Sequence, residues 1–308
     1  MVNNIMLTVL GPTATGKTSF AAHLACYLNG EVISADSRQV YRGMDMATGK
    51  DLKDYIVNGE TIPHHLIDIV DPGYEYNVYE FQHDFLKTYE NIITRGKLPV
   101  LCGGTGMYIE SVLKGYKLIN VPENPKLRSE LEENSKEELV KLLKSFKTPH
   151  NITDIKDRKR LVRAIEIQHY YNDHPEIDTS FPEIKNTIFG LRFERQIIRE
   201  RITERLKKRL NEGMVDEVKN LLDRGLKPEQ LKFYGLEYKY LTQYVTGEIS
   251  YREMFRLLNT AINQFAKRQM TWFRKMEKEG HKINWIDGNL SMKEKIKSAL
   301  EIIKNKTL

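Results

Sequence analysis

Short apolar segments alternate with amphipathic ones along the first part of the chain. Residues 5–10 are apolar, too few for a helix and rich in β-forming side chains, so they predict a buried strand. Residues 17–28 carry Phe20, Leu24 and Leu28 at helical spacing and predict a helix after a glycine-containing turn. Strands that alternate with helices in this way predict a parallel sheet covered by helices on both faces.

The same alternation continues to about residue 113, and nearly everything between the strand predicted at 186–193 and the one at 283–286 has a helical pattern. Further strands are predicted at 31–35, 64–70, 98–102, 186–193 and 283–286, and further helices at 79–93, 107–113 and 251–278. Residues 121–185 differ, because they combine prolines with a charged helical pattern. We predict that residues 121–185 form a small inserted helical domain.

Composition narrows the class of protein. With 40% hydrophobic and 29% charged residues among 308, the chain resembles a globular protein and not a disordered, collagen-like or coiled-coil one. It has no apolar run of membrane-spanning length and no signal-peptide pattern at residues 1–4, so we expect a cytoplasmic protein that does not bind membranes. We also expect a monomer. The net charge of +6 is compatible with a polyanionic partner.

The turn after the first strand carries a phosphate-binding motif. Residues 11–18 fit G-x-x-x-x-G-K-[ST], in which backbone amides converge on an anion at a helix N-terminus. Lys17 is predicted to neutralise phosphate charge, and Thr18 is predicted to bind Mg²⁺. The predicted ligands of the phosphorylated compound are Gly11, Thr13, Ala14, Thr15, Gly16, Lys17 and Thr18. Residues 1–120 and 186–308 are therefore predicted to form an α/β core of the P-loop NTPase type.

A carboxylate is predicted to lie beside this loop. Asp36 follows the second strand, and a second glycine-rich turn, residues 103–106, follows the strand at 98–102. Ligands of parallel sheets bind at the carboxyl ends of the strands. Asp36 is therefore a candidate general base toward a nucleophile that attacks the phosphorylated compound. A motor or GTPase would need a further acid near Mg²⁺, and Asp68 and Asp71 match that role poorly.

Six segments together resemble the tRNA dimethylallyltransferase family in order and spacing. They are residues 11–18, 36–45, 64–68, 103–108, 160–166 and 266–272. The resemblance implies transfer of a dimethylallyl group from dimethylallyl diphosphate to N6 of the adenosine on the 3′ side of the anticodon, with release of diphosphate. It implies that Asp36 accepts a proton from the adenine amine or hydrogen-bonds it, and that Mg²⁺ binds with the diphosphate. The partner is then the anticodon stem-loop of tRNA.

The resemblance also implies roles for individual residues. Thr13 would lie along the substrate passage, Ser37 and Gln39 would hold the extruded adenine, and Thr105 would line the tRNA side. Either Arg201 or Arg205, one helical turn apart, would contact the diphosphate. The remaining matches to tRNA-contacting positions are Arg160, Arg163, Gln264, Lys267 and Arg268. The inserted domain would clamp the tRNA.

The chain departs from the family pattern in two places. Residues 46–50, Met-Ala-Thr-Gly-Lys, replace an Ile-Gly-Thr-Ala-Lys-like segment, so the local turn is expected to differ. Leu236 and Glu237 follow Gly235, where the family has a tyrosine and a basic residue; a glutamate near phosphate would repel it. The alternative activities are prenylation of free AMP, ADP or ATP, a P-loop small-molecule kinase, and tRNA binding without catalysis.

Three residue pairs have ordinary structural explanations. Cys26 and Cys102 lie in apolar segments and predict reduced, buried thiols. His64 and His65 are consecutive in a predicted strand and point to opposite faces, which favours hydrogen-bonded packing over a metal site. The third pair, Trp272 and Phe273, fits a core or interface position in the long helix better than a base-stacking one.

Overall fold

A computed structural model describes residues 5–146, 157–177 and 180–307. Residues 1–4, where a signal peptide was not expected, and part of the predicted insert, including Pro149, lie outside this description. The chain divides into two compact units, the larger made of Met1–Tyr116 and Pro182–Leu308 and the smaller of Lys117–Phe181. No helix in the described ranges is both long enough and apolar enough to span a bilayer.

The larger unit is built on a parallel sheet, as the alternating pattern predicts. The strands are β1 (Ile5–Leu10), β2 (Gly30–Ala35), β3 (Ile56–Val57), β4 (Glu60–Thr61), β5 (His64–His65), β6 (Leu98–Gly103), β7 (Lys185–Arg192) and β8 (Ile283–Asp287). Six of them form one sheet in the order β5-β2-β6-β1-β7-β8, and every pairing in it is parallel. The mixed α/β class with a P-loop-type sheet is therefore confirmed.

Helices cover the sheet and form most of the C-terminal part. They are α1 (Lys17–Tyr27), α2 (Val78–Thr94), α3 (Gly106–Leu113), α4 (Pro125–Glu132), α5 (Lys136–Phe146), α6 (Arg158–Asp173), α7 (Arg195–Asn211), α8 (Met214–Asp223), α9 (Pro228–Phe233), α10 (Leu236–Val245), α11 (Tyr251–Lys278) and α12 (Met292–Thr307). The start of α2 is fixed by a capping box in which Asn77 and Glu80 satisfy each other's backbone N–H groups.

Strand register brings the three important strand ends together. Leu10 at the end of β1 is level with Gly103 at the end of β6, which is level with Ala35 at the end of β2. After β1 the chain crosses to β2 in one direction along the sheet, and after β6 it crosses to β7 in the opposite direction. Open parallel sheets bind ligands in the crevice where the direction of these connections reverses, which here lies between β1 and β6. The first glycine loop (the phosphate loop, residues 11–18), the second glycine turn (residues 103–106) and Asp36 all follow strands that end at this edge.

One predicted strand is much shorter than expected. The segment 64–70 is extended only at His64–His65. Leu66 and Asp68 have φ values of 60° and 55°, which an extended strand cannot accommodate. Val70 still pairs with Tyr41 as an isolated bridge, so the segment returns to the sheet edge after the turn. The short hairpin β3–β4 was not predicted, because its strands are too brief to give a periodic pattern.

Two apolar cores support the site from opposite directions. One lies between the sheet, α1 and α12, and includes Phe20 packed edge-on against Phe189 with ring centroids 6.5 Å apart. The other packs residues that follow β2, such as Tyr41 and Met44, beneath the helices that follow β7. The segment after Asp36 is therefore held by a core and is not a free surface loop.

The smaller unit has its own small core. In its described part, α4, α5 and α6 enclose an apolar cluster of Leu131, Leu139, Leu143, Leu161 and Ile165. The buried carboxylate of Glu166 joins α6 to α4 through the guanidinium of Arg128, 3.0 Å away. A charge buried in this way is strongly destabilising unless it is paired, so this ion pair sets the packing of α4 on α6.

A second buried carboxylate secures the edge of the main sheet. Glu31 on β2 is 3% exposed, accepts hydrogen bonds from Arg95, and lies 2.7 Å from Nε2 of His65 on the edge strand β5. His64 stacks on Tyr55, and its Nδ1 lies 3.0 Å from the Ile62 carbonyl oxygen. These contacts agree with packing as the role of the two histidines.

The Glu31 ion pair predicts a pH-dependent stability. Hydrogen bonds from Arg95, reinforced by His65, hold the pKa of Glu31 below its ordinary value of 4.5. A carboxyl group with a lowered folded-state pKa stabilises the fold above its unfolded pKa, and this contribution is lost as the pH falls through the folded-state value. We expect Glu31→Gln to lower the free energy of unfolding at pH 7, and the difference from the wild type to shrink below about pH 4. Urea unfolding across this range measures it. Glu60→Gln, an exposed control on β4, should show no such trend, and a pH-independent difference for Glu31→Gln would contradict the prediction.

Candidate active site

A cavity of about 1180 Å³ opens at the carboxyl edge of the main sheet. It is lined by the first glycine loop, the segment after β2, the second glycine turn, and residues of α7, α10 and α11. Pockets that bind drug-sized ligands have volumes of roughly 300–1,000 Å³, so this cavity has room for a small phosphorylated compound and a further group. All the elements that form it belong to the larger unit.

The first glycine loop has the backbone form that anion binding requires. Ala14 and Gly16 have positive φ values of 65° and 76°, which turn successive amides toward one point at the start of α1. The Thr15 hydroxyl donates to the Pro12 carbonyl at 2.9 Å and braces the turn. Lys17 and Thr18, the first residues of α1, line the cavity.

The charge of Lys17 is placed where an anion would bind. Burial lowers the pKa of Lys17, while Asp36 acts in the opposite direction. Beneath it, burial raises the pKa of Cys102 to about 12, so the thiol stays protonated at neutral pH. Both cysteines are free, with Cys102 buried as expected and Cys26 only half-buried.

Asp36 is held in place by its own turn and by the second glycine turn. Its Oδ1 accepts a hydrogen bond from the Arg38 backbone N–H at 3.0 Å. The backbone N–H of Ser37, the residue after Asp36, donates to the Thr105 hydroxyl at 3.1 Å. Asp36, Ser37 and Thr105 all line the cavity, so the structure brings these predicted residues together beside the phosphate loop.

Gln39 lines the same cavity, but its amide also has protein partners. The Ser34 hydroxyl donates to its Oε1 at 3.2 Å, and its Nε2 donates to the Gly49 carbonyl at 3.2 Å. A role for Gln39 in holding an adenine stays a prediction. These bonds set the position of the turn at 46–50, where the sequence departs from the family pattern.

That turn is closed by a buried lysine. The Nζ of Lys50 donates to the Tyr41 carbonyl at 2.8 Å and pairs with the carboxylates of Asp45 and Asp68. Because Asp68 is engaged here and Asp71 pairs with Arg42 at the surface, neither acid reaches the cavity. The weak match of these two acids to a nucleotide-hydrolysing site is thus explained.

Three arginines of α7 line the cavity at successive turns, but their surroundings differ. Arg209 is paired with Asp51 at 2.6 Å. Arg201 donates from Nε to the Ala14 carbonyl at 2.8 Å, and its guanidinium lies over Phe193. Arg205 donates to the Thr13 hydroxyl, and among the described residues no carboxylate lies within ion-pair distance of it. Burial, with help from Arg209, lowers the pKa of Arg205 to about 10, which leaves the group charged at neutral pH.

The long helix α11 braces both glycine loops through one side chain that sequence reasoning missed. Gln269 is 7% exposed; its Oε1 accepts from the Thr13 N–H at 2.9 Å, and its Nε2 donates to the Gly104 carbonyl at 2.8 Å. A Cβ at Gly104 would lie 2.4 Å from that amide, so the contact requires glycine. Gln269 belongs to the segment at 266–272 that carries the resemblance, which was the available signal.

We expect Gln269→Leu to destabilise the protein, because it leaves the half-buried Thr13 N–H and the buried Gly104 carbonyl without partners. The expected loss in free energy of unfolding is about 1–3 kcal/mol. Thermal or urea unfolding measures it, with Gln264→Leu, an exposed glutamine on the same helix, as the matched control. Equal stability of the two variants would remove the bracing role from Gln269.

The two neighbouring aromatic residues divide between core and cavity. Phe273 is fully buried, as expected, whereas Trp272 lines the cavity. A Cβ at Gly106 would lie 2.5 Å from the indole ring, so glycine there lets α11 approach the start of α3. Trp272 is thus one of the apolar residues that line the cavity, together with Met107 and Leu236.

Comparison with known proteins identifies this arrangement. Residues 39–276 match the family described as IPP transferase. The chain belongs to this family. It is 60% identical over 291 residues to tRNA dimethylallyltransferase 2 of Bacteroides fragilis, covering 94% of this chain and 95% of the relative.

Solved structures agree with the assignment to the IPP transferase family. A tRNA isopentenylpyrophosphate transferase of Bacillus halodurans is 32% identical with a TM-score of 0.73, covering 99% of this chain and 97% of that one. A eukaryotic dimethylallyltransferase described as acting on tRNA has the same fold. Its TM-score is 0.78 at 23% identity, with 97% of this chain and 79% of that chain covered.

The remaining residues predicted by the family resemblance do not all reach the cavity. Arg268 lines it, whereas Gln264 and Lys267 are exposed on α11 outside its lining. In the smaller unit, Arg160 is exposed. Arg163 is engaged there with Glu166 at 2.5 Å and with the Val121 carbonyl at 2.6 Å. Contact of these residues with tRNA stays a prediction, and for Arg163 it would compete with a structural ion pair.

Glu237 does lie in the cavity, beside the basic residues of α7. Burial raises the pKa of its carboxyl group, while Arg205 and Arg209 act in the opposite direction. The departure from the family pattern at this position therefore places an ionisable carboxyl group among the basic residues that line the cavity.

Proposed function

We propose that this enzyme transfers the dimethylallyl group of dimethylallyl diphosphate to N6 of the adenosine on the 3′ side of the anticodon in tRNA. The observation that carries the proposal is the strand register that sets a phosphate loop and Asp36 at the same cavity edge. The IPP transferase relatives named as acting on tRNA support the choice of acceptor.

The cationic end of the cavity suits the leaving group. As the bond between C1 of the dimethylallyl group and the diphosphate oxygen breaks, the electron pair leaves with the oxygen. Lys17, Arg205 and the loop amides would bind the negative charge that develops there. Among the lining residues, Met107, Leu236 and Trp272 are apolar and would suit the hydrocarbon part of the substrate.

The donor set also fits Mg²⁺ bound with the diphosphate. Mg²⁺ next to phosphates takes few protein ligands, since phosphate oxygens and water supply the rest. Among the described residues no group of three or more His, Cys, Asp or Glu side chains could hold a metal ion by itself. The Thr18 hydroxyl would hold the ion, which would neutralise part of the diphosphate charge.

The acceptor side requires an extruded base. An N6 amine inside a stacked anticodon loop is not accessible, so the adenine must leave the stack and enter the cavity. As N6 forms its bond to C1, the Asp36 carboxylate would accept one proton from the amine. Atoms and charge then balance: the products are the N6-substituted adenosine, diphosphate and a protonated Asp36.

Labelled dimethylallyl diphosphate tests the proposal with two classes of acceptor. We expect label in an anticodon stem-loop RNA, loss of that label when the acceptor adenosine is replaced by guanosine, and no label in AMP, ADP or ATP. Label in free nucleotides alone would overturn the choice of acceptor. Release of ADP from ATP with any acceptor would instead indicate a kinase, and RNA binding without label would indicate a non-catalytic protein.

A further inference from the structure

Two phenylalanines next to the cavity have exposed rings. Among the described residues, Phe233 (53% exposed) and Phe265 (38% exposed) are the exposed phenylalanines. Phe265 lines the cavity on α11, and Phe233 stands at the end of α9 between two lining residues, Lys232 and Tyr234. Exposed apolar surface rimmed by polar residues marks ligand-binding grooves, and both rings have basic neighbours in the cavity lining.

The guanidinium of an arginine that lines the cavity lies over each ring. The Cζ of Arg38 lies 5.9 Å from the Phe233 ring centroid, and that of Arg268 lies 5.8 Å from the Phe265 ring centroid. Arg38 comes from the Asp36 turn, so the first pair is tied directly to the candidate general base. Two separate elements thus present the same combination of a flat apolar ring and a planar cation.

The Phe233 ring is supported from behind. It packs edge-on against Tyr234, whose ring lies 4.6 Å from Tyr41 in the core. Tyr234 also accepts a hydrogen bond from the Gly73 N–H at 2.5 Å. A ring held in this way loses little conformational entropy when a flat ligand stacks on it.

Extrusion of one base creates a demand for two such surfaces. When the acceptor adenine leaves the stack, the nucleotides on its 5′ and 3′ sides each lose a stacking partner. Proteins replace such contacts with aromatic rings and arginine planes. The basic side chains that line this part of the cavity, including Lys208 and Lys239, favour a polyanion over an apolar protein segment as the occupant.

We propose that Phe233 and Phe265, each with its arginine, are stacking platforms for the two nucleotides that flank the extruded adenine. This inference rests on the proposed function and adds the residues that hold the RNA around the reacting base. One platform serves each neighbour, so the two phenylalanines are not interchangeable.

Steady-state kinetics on an anticodon stem-loop RNA provides the first test. We expect Phe233→Ala and Phe265→Ala each to raise the KM for RNA by roughly 10-fold, within the range measured for loss of one base stack, and to leave the KM for dimethylallyl diphosphate unchanged. Phe233→Tyr and Phe265→Tyr should restore the wild-type KM for RNA. Tyr27→Ala, an exposed aromatic on α1 outside the cavity lining, is the control that should change neither constant.

Abasic nucleotides identify the partner of each ring. In the wild type, an abasic site on either side of the acceptor adenosine should raise the KM for RNA by a similar factor. For each alanine variant, one of the two abasic substrates should then cause no further increase. An unchanged KM for both variants, or increases that multiply at both flanking positions, would overturn the proposal. A wild-type enzyme that does not label RNA would overturn the proposed function instead, so the two failures are distinct.

Discussion

Asp36→Asn should lower kcat by roughly 10²–10⁴-fold, the usual contribution of a positioned general base, while RNA binding stays within twofold of the wild type. The amide keeps the size of the side chain and can still accept the hydrogen bond from the Arg38 N–H, so the turn should survive. What it loses is the ability to accept a proton from N6. Single-turnover transfer and fluorescence anisotropy with labelled stem-loop RNA separate the two effects.

The matched control for this variant is another carboxylate of the same cavity. Asp54 lines it, and burial raises the pKa of its carboxyl group. We expect Asp54→Asn to lower kcat by less than about 10-fold, since Asp54 does not follow a strand end beside the phosphate loop. If Asp36→Asn transfers the prenyl group at a rate similar to that of Asp54→Asn, Asp36 is not the base.

Arg205→Gln should lower kcat and weaken diphosphate binding, with a combined loss of roughly 10²–10³-fold in kcat/KM for dimethylallyl diphosphate. The half-buried guanidinium of Arg205 has no carboxylate within ion-pair distance among the described residues, and burial lowers its pKa. Keeping it charged is therefore costly, and an anionic substrate offsets that cost when it binds. Arg201 is the matched control on the same helix, because its Nε is already engaged with a backbone carbonyl and its guanidinium lies over Phe193.

The comparison of the two variants resolves the choice that the sequence leaves open. We expect Arg201→Gln to lower kcat/KM by less than about 10-fold and to leave inhibition by inorganic diphosphate nearly unchanged. Inhibition should be lost in Arg205→Gln. The opposite order of effects would assign the diphosphate to Arg201.

Local chemistry made the phosphate loop, Asp36 and most strands predictable. The glycines of the loop act through backbone geometry and Lys17 acts through its charge, all within eight consecutive positions. Strand β1 begins and ends at the predicted residues. The strand prediction at 64–70 was wrong over most of its length, because composition does not determine φ and Leu66 and Asp68 adopt the left-handed region. A buried strand and a buried turn can have the same hydrophobic pattern.

The parts that could not be predicted depend on contacts distant in sequence. Gln269 reaches Gly104 across 165 residues, and no periodicity relates the two. Arg201, Arg205 and Arg209 share one helical face, so spacing alone cannot separate the arginine that pairs with Asp51 from the one beside Thr13. Their roles depend on which loop packs against each turn of α7.

The order of strands in the sheet has a consequence for synthesis on the ribosome. The strand that leads into the phosphate loop lies between β6 and β7, and β7 begins only at Lys185. A nascent chain that has not reached this point exposes an unpaired central edge, which makes it prone to aggregation and a target for chaperones. Gln269, which braces the phosphate loop, is synthesised later still. Chains that stall before that residue should therefore be degraded or held by chaperones before they can bind diphosphate.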